Sequence, residues 1–115
     1  STAMPAANLF TGLPALDQGE FFQDLWRQGR VRIERILSSA SPDPVRYDQE
    51  QDEWVLLLEG QAVLELDGER IALGPGDYLF IPAHTPHRVL ETRPAPRCLW
   101  LAIHLYPPGA NLPEA

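Results

Sequence analysis

Apolar residues along this chain fall into short runs, several of them alternating with polar positions, and glycine and proline clusters separate the runs. Alternation of this kind, bounded by turn residues, predicts half-buried strands rather than helices. The segment VRIERIL (31–37) reads as a strand whose alternation slips after Ile33, which predicts a bulge or a buried end. EWVLLLEG (53–60) leads directly into QAVLELDGERIAL (61–73), where Asp67-Gly68 is the strongest hairpin signal because both turn positions need positive φ. A two-residue turn there places Leu66 opposite Glu69, Leu64 opposite Ile71 and Ala62 opposite Leu73, so that apolar meets apolar on one face. Gly74-Pro75-Gly76-Asp77 fits a type II turn, with proline second and glycine third. YLFI (78–81) and CLWLAIHLY (98–106) are apolar on both faces, as expected of strands covered on both sides.

One segment breaks the β pattern. Asp17 stands three residues before Glu20 in the manner of a capping box, with Leu16 and Phe21 placed as a hydrophobic staple. Phe21, Phe22, Leu25 and Trp26 then recur at helical spacing, and Gly29 sits where a C-terminal cap belongs. The spacing predicts one short amphipathic helix over residues 18–28. Six or seven strands with frequent turn signals and one early helix point to a jelly roll or small barrel. The expected organisation is an N-terminal segment with its helix (1–30), a barrel (31–106) and a tail (107–115). Ser1 to Ala3, ahead of the only methionine, Met4, read as an expression remnant and are set aside.

Composition narrows the chemistry. The chain has 115 residues and a net charge of −7 with no lysine, so it suits one compact domain with no basic stripe for phosphates. That argues against nucleic acid as a partner, and the missing lysine removes Schiff-base chemistry and the P-loop motif. Cys98 is the single cysteine, set in an apolar strand, so the expectation is a buried, unreactive thiol and no disulfide framework. No run approaches the ~20 apolar residues that span a bilayer, and no signal segment opens the chain, so the expectation is a soluble, cytoplasmic protein.

Two motifs carry a resemblance. GDYLFIPAHTPH (76–87) is similar to a pattern of glycine, five residues, proline, any residue, glycine, two residues and histidine, and Glu53 followed after six residues by Gly60 repeats the latter half of its companion. On these motifs the chain resembles the cupin superfamily, as a small single-domain, RmlC-like jelly roll, and the likeness covers about residues 31–106. It implies an all-β, double-stranded β-helix holding one divalent metal ion (Fe, Mn, Ni or Zn) by two histidines and a glutamate of the first motif and one histidine of the second. By position the glutamate is Glu53 and the second-motif histidine is His87. The two first-motif histidines fall on Tyr47 and Gln49, so that motif is degenerate. The remaining candidate metal set is Gln49, Glu53 and His87, with Tyr47, Glu53 and His87 as candidate catalytic residues.

The spacing is physically coherent, because positions 47, 49 and 53 share parity and side chains two apart on a strand lie about 6.7 Å apart on one face. By the same parity Asp48, Glu50 and Asp52 face outward. Two readings of the pair stand open: Glu53 and His87 hold an ion with Gln49, or they hydrogen-bond each other and a water. His84 replaces a glycine of the pattern, which predicts positive φ and a place at the barrel mouth, on the surface or against a ligand. Glu91 shares parity with His87 and Val89, either facing the cavity or ending a strand in water. His104 belongs to the mixed face of the last strand, as a core or rim imidazole or as a ligand contact. Trp54 points outward, against the helix or a second subunit.

Three functions remain at this stage: a metal-dependent isomerase, lyase or dioxygenase on a small oxygen-bearing metabolite, with Tyr47 as a proton donor; a non-catalytic, metal-free sensor or storage module; and a metal-free acid–base pair of His87 and Glu53. Surplus apolar surface predicts a homodimer.

Overall fold

A computed structural model describes residues 5–110; Ser1 to Ala3 and the end of the 107–115 tail lie outside the described residues. Eight strands form: β1 Glu20–Gln28, β2 Val31–Ser38, β3 Asp52–Glu59, β4 Gln61–Leu66, β5 Glu69–Leu73, β6 Tyr78–Ile81, β7 His87–Arg93 and β8 Cys98–Leu105. They pair antiparallel into a five-stranded sheet, ordered β1-β2-β8-β3-β6, and a three-stranded sheet, ordered β5-β4-β7. The inner faces enclose one core in which Leu57, Ile81, Cys98, Trp100 and Ala102 are almost wholly buried. Each large apolar side chain buried there contributes about 1.5–3 kcal/mol. Among the described residues no helix is long and apolar enough to cross a membrane.

The expected turns form with their expected register. Asp67 and Gly68 both adopt positive φ, and Ala62, Leu64 and Leu66 pair with Leu73, Ile71 and Glu69. Gly76 has φ near +90°, and the Asp77 amide donates to the Gly74 carbonyl as a type II turn requires. Gly60 joins β3 to β4 where a Cβ would stand 2.6 Å from the Arg97 carbonyl oxygen, so only glycine fits between the two sheets.

The predicted helix is absent, and residues 20–28 are β1. This strand pairs with β2 from Glu20 opposite Ser38 to Gln28 opposite Val31, with a bulge between Asp24 and Trp26. The extra residue, Leu25, moves the following side chains to the other face, so Phe22 points inward beside Ile36 while Trp26 points outward beside Ile33. A bulged strand thus imitates helical spacing. Gly29, read as a helix cap, makes the β1–β2 turn with φ +58°, and Glu20 accepts from Ser38 rather than closing a capping box.

Outside the five-stranded sheet, cross-strand neighbours form an apolar row from Phe80 through Trp54, Ile103 and Ile33 to Trp26. A second row carries Tyr78, Leu56 and Leu101 before reaching Arg35. The Arg35 guanidinium straps down the N-terminal segment by donating to the carbonyls of Leu9 (2.9 Å) and Thr11 (2.7 Å).

Candidate functional site

The two sheets open around a cavity of about 530 Å³. Its polar wall comes from the inward positions of β3 and the segment before it. Tyr47 and His87 exchange backbone hydrogen bonds of 2.7 and 2.9 Å, and the His84 amide donates to the Gln49 carbonyl at 2.8 Å. These bonds hold residues 47–51 extended, so Tyr47, Gln49, Gln51 and Glu53 all line the cavity. Asp52, of the opposite parity, accepts from the Ala83 amide at 2.8 Å and ties down the turn that carries His84.

His87 is 8% exposed and its ring orientation is set from behind. Nδ1 lies 2.9 Å from the Thr85 carbonyl oxygen, which can only accept, so Nδ1 carries the proton and Nε2 presents a lone pair. That Nε2 makes no hydrogen bond among the described residues; Glu53 Oε1 is 3.9 Å away. Glu53 Oε1 instead accepts from the Gln49 amide at 2.9 Å. Tyr47 stacks on the His87 ring with centroids 5.6 Å apart. Burial pushes the Tyr47 phenol above its ordinary pKa, and repulsion from Glu20, Asp43, Glu34 and Glu53 adds to the rise. It stays a neutral hydroxyl.

His104 lies 4.0 Å from the same Glu53 oxygen but is engaged at both nitrogens. Nε2 donates to Glu34 at 2.9 Å, and Nδ1 accepts from the Gln51 amide at 3.2 Å. Glu34 also pairs with Arg32 at 3.0 Å, and Arg32 reaches Asp24 at 3.1 Å and the Tyr106 hydroxyl at 3.1 Å. Opposing arginines outweigh desolvation and hold Asp24 below the usual carboxylate range. At the cavity's other side Glu20 accepts from Ser38 Oγ at 2.9 Å, the same hydroxyl to which Trp100 Nε1 donates at 3.1 Å. Burial raises the Glu20 carboxyl, and repulsion from Asp43, Glu34 and Glu53 opposes the Ser38 bond that would lower it. Cys98 is buried and its thiol is pushed up to about 12, chiefly by desolvation, so it is no nucleophile.

Five of the seven candidate residues, Tyr47, Gln49, Glu53, His87 and His104, meet at this cavity. His84 does adopt positive φ, +57°, but its side chain is 73% exposed beside Asp48 and does not line the cavity. Glu91 is turned away. A register shift between Val63 and Leu64 leaves Leu90 without a partner, so the alternation counted from His87 reverses and Glu91 pairs outside with Arg93 at 2.8 Å. The sequence reading gives Glu20 only a capping role and assigns no cavity role to Arg32, Glu34 or Gln51, all four of which line the cavity. For Gln51 the signal was present in the shared parity of 47, 49 and 53, and for Arg32 and Glu34 in their alternation with Ile33 toward Ile36.

The donor set does not make the four-ligand metal centre that the family pattern implies. Glu53 and the open Nε2 of His87 are strong donors, but the two histidine positions carry a neutral phenol and an amide whose nitrogen faces Glu53. His104 would have to abandon both of its partners to join them. Among the described residues no three His, Cys, Asp or Glu side chains are grouped to hold an ion.

Comparison with known proteins agrees on the fold. The chain is 44% identical over 54 residues to quercetin 2,3-dioxygenase of Bacillus subtilis, a stretch covering 45% of this chain but only 16% of that protein. Among solved structures, a Ralstonia eutropha JMP134 protein provisionally assigned as a mannose-6-phosphate isomerase superposes with a TM-score of 0.79 at 39% identity, covering 90% of this chain and 99% of that one. A cupin superfamily protein of Desulfitobacterium hafniense DCB-2 follows at TM-score 0.72 and 26% identity, covering 83% and 84% of the two chains. The cupin domain family matches residues 34–104, from the Glu34 of the buried ion-pair chain to the His104 that completes it, and the chain belongs to that family.

Proposed function

We propose that this cupin binds a small metabolite in its barrel without a resident metal ion. The observation that carries this reading is the His87 Nε2 lone pair, held toward a 530 Å³ cavity in a side chain 8% exposed and left without a hydrogen-bond partner. That nitrogen opens onto the cavity rather than being sealed in the core, so a ligand hydrogen-bond donor can reach it. Apolar walls from Val55, Leu64, Ile81 and Val89 supply contact area, while the polar residues fix orientation.

The same lone pair supports a second, catalytic reading. A neutral imidazole locked by the Thr85 carbonyl can accept a proton from a bound substrate, and the neutral Tyr47 phenol stacked on it can return one. Isomerisation or elimination beside a carbonyl needs no more than such a pair.

Metal analysis joined to ligand screening tests the proposal. Protein purified without a histidine tag is expected to hold substoichiometric metal, at the same level after Glu53→Gln. Small-molecule binding is expected to shift the amide signals of cavity residues in ¹⁵N spectra, and Leu64→Trp to abolish it by filling the space. Stoichiometric metal lost on Glu53→Gln would overturn the metal-free reading. Ligand shifts that persist in Leu64→Trp would overturn the cavity.

We also infer a homodimer through the outer face of the five-stranded sheet. A chain of net charge −7 meets its copy most favourably where carboxylates are absent, and the row Phe80, Trp54, Ile103, Ile33 and Trp26 contains none.

A further inference from the structure

The cavity's charge and hydrogen-bond balance identify what kind of molecule it takes. Three carboxylates line it, Glu20, Glu34 and Glu53, against one guanidinium, Arg32. Arg32 is already committed to Glu34, to Asp24 and to the Tyr106 hydroxyl. Neither Glu20 nor Glu53 has an arginine within ion-pair distance among the described residues; Glu53 meets the neutral Gln49 amide at 2.9 Å, and the two imidazoles stand at 3.9 and 4.0 Å. Neither ring makes a hydrogen bond to Glu53: His87 is held through Nδ1 by the Thr85 carbonyl, and His104 is engaged at both nitrogens by Glu34 and Gln51. Two buried or half-buried carboxylates therefore face one cavity with no arginine to match them.

Hydrogen-bond capacity is skewed the same way. The amide nitrogens of Gln49 and Gln51 are engaged by Glu53 and His104, and Trp100 Nε1 is engaged by Ser38. Open toward the cavity are mostly acceptors: His87 Nε2, the second oxygens of Glu53 and Glu20, and the glutamine carbonyls. The donors are the Tyr47 hydroxyl, the second N–H of each glutamine amide and the Arg32 Nη2 group, which belongs to a guanidinium already paired with Glu34 and Asp24. The walls include the faces of Phe22 and Trp100, which favour a cation over an anion.

Resting on the cavity-binding reading, we propose that the ligand is a small organic cation: an amine whose protonated nitrogen donates to Glu53 and His87 Nε2, with an apolar body against Phe22 and Trp100. A phosphate ester or carboxylate would meet two carboxylates without arginine partners and one guanidinium already shared between Glu34 and Asp24, and is disfavoured. A neutral polyol would fill the acceptors but leave both charges uncompensated, at the expense that burying unpaired carboxylates always carries. A bare divalent ion would find one carboxylate between two imidazoles, of which His104 is already engaged at both nitrogens, in a space far larger than itself. Burial is the chief cause of the raised Glu20 and Tyr47 groups, and the repulsion from surrounding carboxylates that adds to it is a separate sign of negative potential in this cavity.

The test is isothermal titration calorimetry at neutral pH with isosteres that differ in charge: amines from ethanolamine to phenethylamine, 2-phenylethanol, 3-phenylpropanoate and mannose 6-phosphate. At least one amine is expected to bind about tenfold or more tightly than its neutral isostere, a difference of about 1.4 kcal/mol, and neither anion to give heat. Glu53→Gln and Glu20→Gln are each expected to lower amine affinity about tenfold and to change alcohol affinity far less, since only the amine loses an ion pair. Should Glu53→Gln fail to fold, Glu20→Gln and the salt dependence of the wild-type protein carry the test, since amine affinity alone should fall with ionic strength. An alcohol bound as tightly as its amine, or amine affinity unmoved by Glu20→Gln and by salt, would overturn charge selection while leaving the cavity as a binding site. Binding of either anion, or failure of every amine, would overturn the proposal as well.

Discussion

The surroundings of His104 and of His87 are alike in every coarse respect. Each ring is more than nine-tenths buried, each lies about 4 Å from the same oxygen of Glu53, and each borders the same cavity. They differ in what their nitrogens do. His104 is closed at both ends by Glu34 and Gln51, within an ion-pair chain running through Arg32 to Asp24 at the barrel rim. His87 is closed at one end only, by a backbone carbonyl two residues away. Burial and nearby charge therefore do not separate polar groups closed within this barrel from those open to its cavity; the completeness of their hydrogen bonding does.

The comparison is most easily broken at His104. His104→Ala leaves the buried Gln51 amide without its partner and Glu34 with Arg32 alone, and is expected to cost about 3 kcal/mol of stability in urea denaturation for the two hydrogen bonds lost, one of them to a carboxylate. His87→Ala removes one hydrogen bond to Thr85 and should cost only about 1 kcal/mol, while ligand affinity falls about tenfold or more for the loss of a charge-assisted contact. Equal costs at the two positions would erase the distinction.

Glu20→Gln sharpens the electrostatic side. Its carboxyl is raised from 4.5, so the folded state holds the proton more tightly than the unfolded chain. The stability this group contributes is present below pH 4.5 and lost as pH rises from there through the folded value. The glutamine variant should match wild type in melting temperature near pH 4 and exceed it at pH 7. The smallest effect on the monomer's stability, within about 0.5 kcal/mol, is expected from Trp54→Glu, which should nonetheless convert a dimer to a monomer in sedimentation.

Much of this arrangement is legible before any coordinates. Asp67-Gly68 sets its hairpin because positive φ at two consecutive positions permits little else, and the parity of 47, 49 and 53 places three cavity residues because an extended segment allows only two faces. Parity fails where a bulge intervenes. Leu25 made a strand look helical, and the unpaired Leu90 turned Glu91 outward, since an extra residue exchanges the two faces and leaves no mark in composition. The closure of His104 was hidden for another reason. Gln51 and Glu34 stand 53 and 70 residues away from it, and only the pairing of β8 with β2 and β3 brings them together.

The most direct measurement is the ¹⁵N chemical shift of the two imidazoles, with and without a bound amine. Protonated Nδ1 with a bare Nε2 is predicted for His87, the opposite tautomer for His104, and on ligand addition only the His87 Nε2 resonance should move. A His87 ring carrying its proton on Nε2, or a ligand response confined to His104, would contradict the assignment of His87 as the open pole of the cavity.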